Sequence, residues 1–381
     1  MKKRSSIILL LLCSALLIFS ISCRRQQADD EIVIGLVVAT TGRFAAAEAG
    51  IHSGTRMAID GINAAGGVNG KRLVLVHEDT GSEQAGAVNA FNRVVTRNPV
   101  FIINTALSSF FLAMMPDIER ARIPTSPMGE NPVPTQQGNP WVLRFNYSDL
   151  VTPIAALRFA QEELGANNIA IIRANTEFGQ HWENTIVQEL ALAGQRPATI
   201  EVFQTDDRDM TAQLNRIRTS GADAMIAIGD PPNHAILLVQ RRQLGLGHIH
   251  YVGSSTVVQP QTIDMMEAEE IEGVFSLTGA VPAQDPNPAV REWNARHREI
   301  FGVDADHVAA NAYDAVHIIA DGIRAVGQDR AALRDWILAV QGREGMGNIW
   351  SFSPNGDGGT RLSIVEVRDR VPHIIATQTV N

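Results

Sequence analysis

Cysteine is almost absent from this sequence. The 381 residues hold two, Cys13 and Cys23. From residue 24 onward no disulfide can form and no thiolate can ligate a metal. A chain of this kind relies on a large apolar core when it works outside the cell. Basic charge is scarce as well: 32 Lys and Arg stand against 41 Asp and Glu, a net charge of −9. Neutralising phosphates takes clustered Lys and Arg, so a nucleic-acid partner is not expected. Catalytic signatures are missing too, with no G-x-S-x-G, H-E-x-x-H or C-x-x-C. The loop Gly66-Gly67-Val68-Asn69-Gly70-Lys71-Arg72 lacks the spacing of a phosphate loop and precedes a strand where such a loop follows one. Gly245-Leu246-Gly247 and Gly345-Met346-Gly347 each lack the third glycine of a dinucleotide fingerprint. Residues 353–358 open like a calcium loop, but Ile364 falls where a bidentate carboxylate is needed. His248 and His250 read as a surface pair. No enzyme activity, cofactor or metal is expected.

The N-terminus speaks for export. Lys2, Lys3 and Arg4 precede an apolar run over 7–21, too short for a comfortable membrane span. Ser22 then leads directly into Cys23. A basic start, a short apolar run and a small residue before cysteine resemble the bacterial lipobox, although Ser20 stands where an aliphatic residue is usual. Residues 1–22 are therefore expected to be a signal peptide, Cys23 the lipidated first residue of the mature chain, and 23–30 a polar tether. Cleavage removes three of the 32 bases, leaving 29 against 41 acids.

About 355 mature residues suggest two domains. Apolar runs at 32–39, 72–77, 100–103 and 123–125 alternate with helical patterns at 52–65, 83–95 and 109–120, and 141–145 reads as a closing strand. The first run is continuously apolar, as suits a parallel strand buried on both faces. The alternation restarts at 150–164 and continues through strands at 169–173, 198–203, 224–228, 250–252 and 274–277. Two βα series predict an α/β fold of two doubly wound parallel-sheet lobes joined by a hinge. Helical patterns at 289–301, 308–326 and 330–340 are expected to cover existing faces, with two or three strands after residue 349. The expected division is 31–148 with about 281–348 in one lobe and 149–280 with about 349–381 in the other. The Pro-rich stretch 281–288 is either a crossing between lobes or a surface loop.

Parallel sheets bind ligands at the carboxyl ends of their strands. The loops there span 40–47, 105–109 and 126–131 in the first series, and 174–178, 229–233 and 253–256 in the second. Ser108 and Ser109 open a helix. A hydroxyl, free N–H groups and the helix dipole together suit a carboxylate; a plain N-cap serving its own helix is the other reading.

Five segments carry a resemblance: IVIGLVVATTG, GTRMAIDGINAAGGVNGKRLVLVHEDT, ARIPTSPMGENP, IAIIRANTEFGQ and NAYDAVHIIADGI. In this order they resemble the periplasmic leucine/isoleucine/valine-binding family of ABC-importer receptors. The resemblance implies two lobes joined by three crossing strands, closing on an amino acid, amide, urea or small aromatic acid. By it, Ser109 matches the family's carboxylate-holding serine, Gly129 a backbone contact and Phe178 an aromatic wall. Glu130 stands where amino-acid binders have a threonine hydroxyl. Ser255 stands where they have the acid that pairs the amine. Asp230 or Pro231, and Ala47, replace aromatics. A buried ammonium needs an anion, so Glu130 or Asp230 supplies it, or the ligand has none; solvated loop acids are the alternative for both. The expected partners are a small solute, an ABC permease and, through lipid, the membrane. A receptor feeding a membrane kinase or chemoreceptor, or an enzyme on two α/β lobes, are the competing functions.

Overall fold

The computed structural model describes residues 30–379, so Cys23 and the signal segment lie outside the described residues. Strand β1 (Glu31–Val38) shows why a continuous apolar run becomes a central strand. Ile34, Leu36 and Val38 enter one core while Val37 enters another on the opposite face. Successive side chains of a strand alternate faces, so both faces need apolar residues. Helix α1 (Ala45–Ala64), β2 (Arg72–Asp79), α2 (Gln84–Val95), β3 (Phe101–Asn104), α3 (Ser108–Ala121) and β4 (Thr125–Ser126) complete a parallel sheet of order β2-β1-β3-β4. Helix α1 starts at Ala45, ahead of the expected 52, which draws Glu48 into its first turn.

Strand β5 (Arg144–Tyr147) leads across to α4 (Thr152–Arg158) and the second series. That series runs β6 (Ile169–Ala174), α5 (Glu177–Leu192), β7 (Thr199–Phe203), α6 (Thr211–Thr219), β8 (Ala224–Ile228), α7 (Pro231–Gln243), β9 (His250–Gly253) and β10 (Phe275–Thr278). The same alternation holds in β8: Ala224, Ile226 and Ile228 face one core, Met225 and Ala227 the other.

The chain then returns through α8 (Pro288–Phe301), α9 (His307–Val326) and α10 (Arg330–Leu338). Val308, Ala312, Ala315, Val316, Ile319 and Ile323 of α9 enter the core of the first sheet at helical spacing. A small third sheet of order β11-β12-β13-β5 joins β11 (Arg343–Glu344), β12 (Ile349–Trp350) and β13 (Asp357–Gly359) to β5. Strands β14 (Arg361–Arg368) and β15 (Val371–Thr379) add antiparallel to the second sheet, giving β15-β14-β10-β9-β8-β6-β7. The expected boundary at 349 moves, because Trp350 and Phe352 pack in the first core and the second sheet regains the chain only at Arg361. Three passages link the lobes: after β5, after β10 and between β13 and β14. The Pro-rich stretch belongs to the second of them.

Candidate functional site

The strand ends of both lobes meet at a cavity of about 900 Å³, its mouth included. Ser108, Ser109, Gly129, Glu130, Phe178, Asp230 and Ser255 all line it. The cavity also holds residues that periodicity did not single out, notably Glu48, Gln259 and His307.

Helix α3 opens on this cavity without a cap. Its N-cap residue is Leu107, extended at φ −77° and ψ 108°, and no side chain caps the first turn. Ser108 and Ser109 are the first two helical residues, so the N-cap reading of Ser109 is corrected. The first N–H groups of a helix have no partner within it, and here they stand at the wall of the cavity. Gly129 is held close by: a Cβ there would lie 2.2 Å from the Ala106 carbonyl oxygen. The Gly129 carbonyl accepts from the guanidinium of Arg144, leaving its N–H for other partners. Arg144 is fully buried and pairs with Asp357 at 2.7 Å.

Glu130 is not a solvated loop acid, whereas Asp230 stays partly open, with 23 % of its side chain exposed although Oδ2 itself is closed off. Glu130 is 7 % exposed. Ser255 Oγ lies 2.9 and 3.1 Å from its two carboxylate oxygens, and His307 Nε2 lies 2.9 Å from Oε1. Burial works against a charged His307. Its hydrogen bond to Glu130 and the charges of Glu130 and Asp306 outweigh that, and the imidazole pKa is raised. Where the resemblance puts a threonine on one lobe and an acid on the other, this chain has the acid on the first lobe and the hydroxyl on the second, bonded to each other. Nothing local in the sequence marks this: Glu130 and His307 are 177 residues apart.

Asp230 starts α7 as its N-cap residue. Burial pushes its pKa up to about 6, against the opposing charge of Arg43. Arg43 reaches from the other lobe, with Nη2 donating to the Thr205 carbonyl at 2.7 Å and lying 3.8 Å from Asp230 Oδ2. Phe178 sits in the first turn of α5, half-buried, its ring 6.0 Å from that of Trp182. Thr176 caps that helix by accepting from Gly179 N–H at 3.1 Å. Glu48 is fully buried and accepts from the N–H groups of Ala39 (2.5 Å) and Ala106 (2.8 Å) and from the Thr105 hydroxyl. Burial raises its pKa to about 7 despite these donors. Its place in a helical first turn explains the miss, since the amphipathic pattern becomes readable only further along α1.

Two lobes, one on a parallel sheet and the other on a largely parallel one, with a shared cavity at their strand ends and three linking passages form a known architecture, and residues 31–371 match the periplasmic binding protein family. The chain belongs to that family. Among relatives of this binding protein, the leucine-, isoleucine-, valine-, threonine- and alanine-binding protein of Pseudomonas aeruginosa is 26 % identical over 333 residues, covering 86 % of this chain and 87 % of the relative. The fold is shared with a leucine binding protein from Thermotoga maritima (TM-score 0.83, 24 % identity, 91 % of this chain and 99 % of the other). It is shared also with a Rhodopseudomonas palustris solute binding protein in complex with 3,4-dihydroxybenzoic acid (TM-score 0.81, 19 % identity, 92 % and 98 %).

Proposed function

We propose that this chain is the exported, lipid-anchored solute receptor of an ABC importer, and that it binds a small amino-acid-like solute between its lobes. The observation that carries the reading is the uncapped start of α3 at a cavity walled by both lobes. Ser108, Ser109 and their N–H groups hold the solute's carboxylate there, where the helix dipole favours an anion. The N–H of Gly129 adds to that cradle, and Phe178 packs against the apolar part. Glu130, Ser255 and Asp230 complete the wall. The ligands in the names of a relative (leucine, isoleucine, valine, threonine and alanine) and of a fold neighbour (3,4-dihydroxybenzoic acid) all carry a carboxylate on a small body. The acids lining this cavity favour the solute that also carries an amine. A permease takes the solute onward, and Cys23 holds the receptor at the membrane.

Mass spectrometry of small molecules released by denaturing the purified mature protein tests the reading. An amino acid or close analogue in stoichiometric amount supports it. A carbohydrate, nucleotide or metal complex in its place sinks it. The anchor is tested apart from the ligand, by fractionating cells that carry Cys23→Ala: the variant should leave the membrane fraction, and unchanged partition refutes lipidation.

A further inference from the structure

Asp149 lies in the passage that leads from β5 into α4, and it is fully buried. Its hydrogen bonds reach both lobes. The N–H donates to the Glu130 carbonyl at 2.8 Å, on the first-lobe loop that walls the cavity. Carboxyl Oδ2 accepts from Trp182 Nε1 at 2.6 Å, and the carbonyl accepts from His181 Nε2 at 2.9 Å, both on α5 of the second lobe. A carbonyl only accepts, so the His181 bond needs its proton on Nε2. Trp182 is fully buried, and its ring stands edge-on to that of Phe178 with 6.0 Å between centroids. The two are four residues apart on α5 and so share one of its faces. Phe178 lines the cavity; Asp149 and Trp182 do not.

A buried N–H that loses its acceptor is costly, so Asp149 fixes the pose of the indole. Phe178 is half-buried and leans on that indole. Burial, and after it the charge of Glu130, makes the Asp149 carboxyl harder to ionise, against the Trp182 bond and the charge of Arg144. Accepting from an indole takes no negative charge, so an amide at this position can do the same.

Resting on the solute-receptor reading above, we propose that Asp149 is the positioning residue of the aromatic wall: through Trp182 it holds Phe178 against the apolar part of the solute, and through its N–H it sets that wall relative to the Glu130 loop across the cleft. Asp149 acts without touching the solute. Its contribution therefore grows with the size of the solute's apolar part, whereas a bond that served only the stability of the fold would treat all solutes alike.

Calorimetry on the mature protein with L-leucine, L-valine and L-alanine tests this. Asp149→Ala should weaken leucine by about tenfold, as a lost apolar contact in a pocket does, valine by less, and alanine by no more than about twofold. Asp149→Asn keeps an acceptor for Trp182 and should restore the wild-type order. Trp182→Phe removes the N–H, keeps an aromatic ring and reaches the same contact from the other side; it should give the same graded loss even if Asp149→Ala does not fold. In the Trp182→Phe background Asp149→Ala should add no more than about a further twofold, since residues acting through one contact are not additive. Equal losses for the three amino acids, no loss in either single variant, or additive losses in the double variant overturn the proposal. If the wild type binds none of the three, the amino-acid reading itself fails and takes this assignment with it.

Discussion

Replacing Ser109 by alanine removes a hydroxyl from the first turn of α3 without touching its cap, because the N-cap residue is Leu107. Affinity and stability should therefore separate. A carboxylate left short of one donor costs about 1–3 kcal/mol, or about 5- to 150-fold in affinity. The thermal midpoint of the ligand-free variant should stay at the wild-type value. Calorimetry beside thermal melts checks both halves, and intact affinity removes Ser109 from the site. Glu48 acts on stability instead. Its pKa is raised to about 7 in the fold by burial, from an ordinary value near 4.5, so the folded state binds the extra proton. The stability it contributes is complete below about pH 4.5 and is lost as the pH rises through about 7, up to roughly 3 kcal/mol. Other buried acids add slopes of the same sign, so the comparison is with Glu48→Gln. Urea melts at pH 5 and pH 8 should show a smaller difference in the variant than in the wild type; an equal difference refutes the assignment.

At the scale of the element, α1 and α9 approach so closely that a Cβ on Gly54 would lie 2.0 Å from the Ala309 carbonyl oxygen. That contact lies in the first turn of α9, which Asp306 caps by accepting from the Ala309 N–H and which begins with His307 and Val308 at the cavity. Gly54→Ala should cost about 1–3 kcal/mol through forced separation of the helices. Gly61→Ala, on the same helix with nothing within 4 Å, should stabilise by about 0.4–1 kcal/mol. Chemical denaturation of the pair checks this, and two effects of one sign would contradict it. These elements were readable in the sequence to different depths. Strand β1 declares itself, because burial on two faces demands an unbroken apolar run. Helix α1 hides its start, since Ala45, Ala46 and Ala47 fit any face. Arg144 hides its burial altogether, because its partner Asp357 is 213 residues away. The site follows the same rule. Its loops follow from strand-end geometry, and Ser109 and Phe178 from the family resemblance. The joining of Glu130, Ser255 and His307 is a tertiary event with no local period.

For the whole molecule, the lobes touch across the cleft through Ser255 on Glu130 and Arg43 on the Thr205 carbonyl. Separating the lobes breaks both contacts, and a ligand that favours the closed form shifts the population toward it. Small-angle scattering should show a smaller radius of gyration on saturation with solute. An unchanged radius with tight binding would rule out closure by hinging.

The third sheet joins β5 to strands that are made much later, Arg144 pairing with Asp357 across 213 residues. Strand β5 waits for β13, the first core waits for α9 and Trp350, and the second sheet waits for β14 and β15. Neither half is complete until the segment from α9 to β15 has been made, because that segment closes both. Late closure of this kind leaves a growing chain without a finished core during most of its synthesis. A chain truncated short of β12 would therefore leave both halves unfinished.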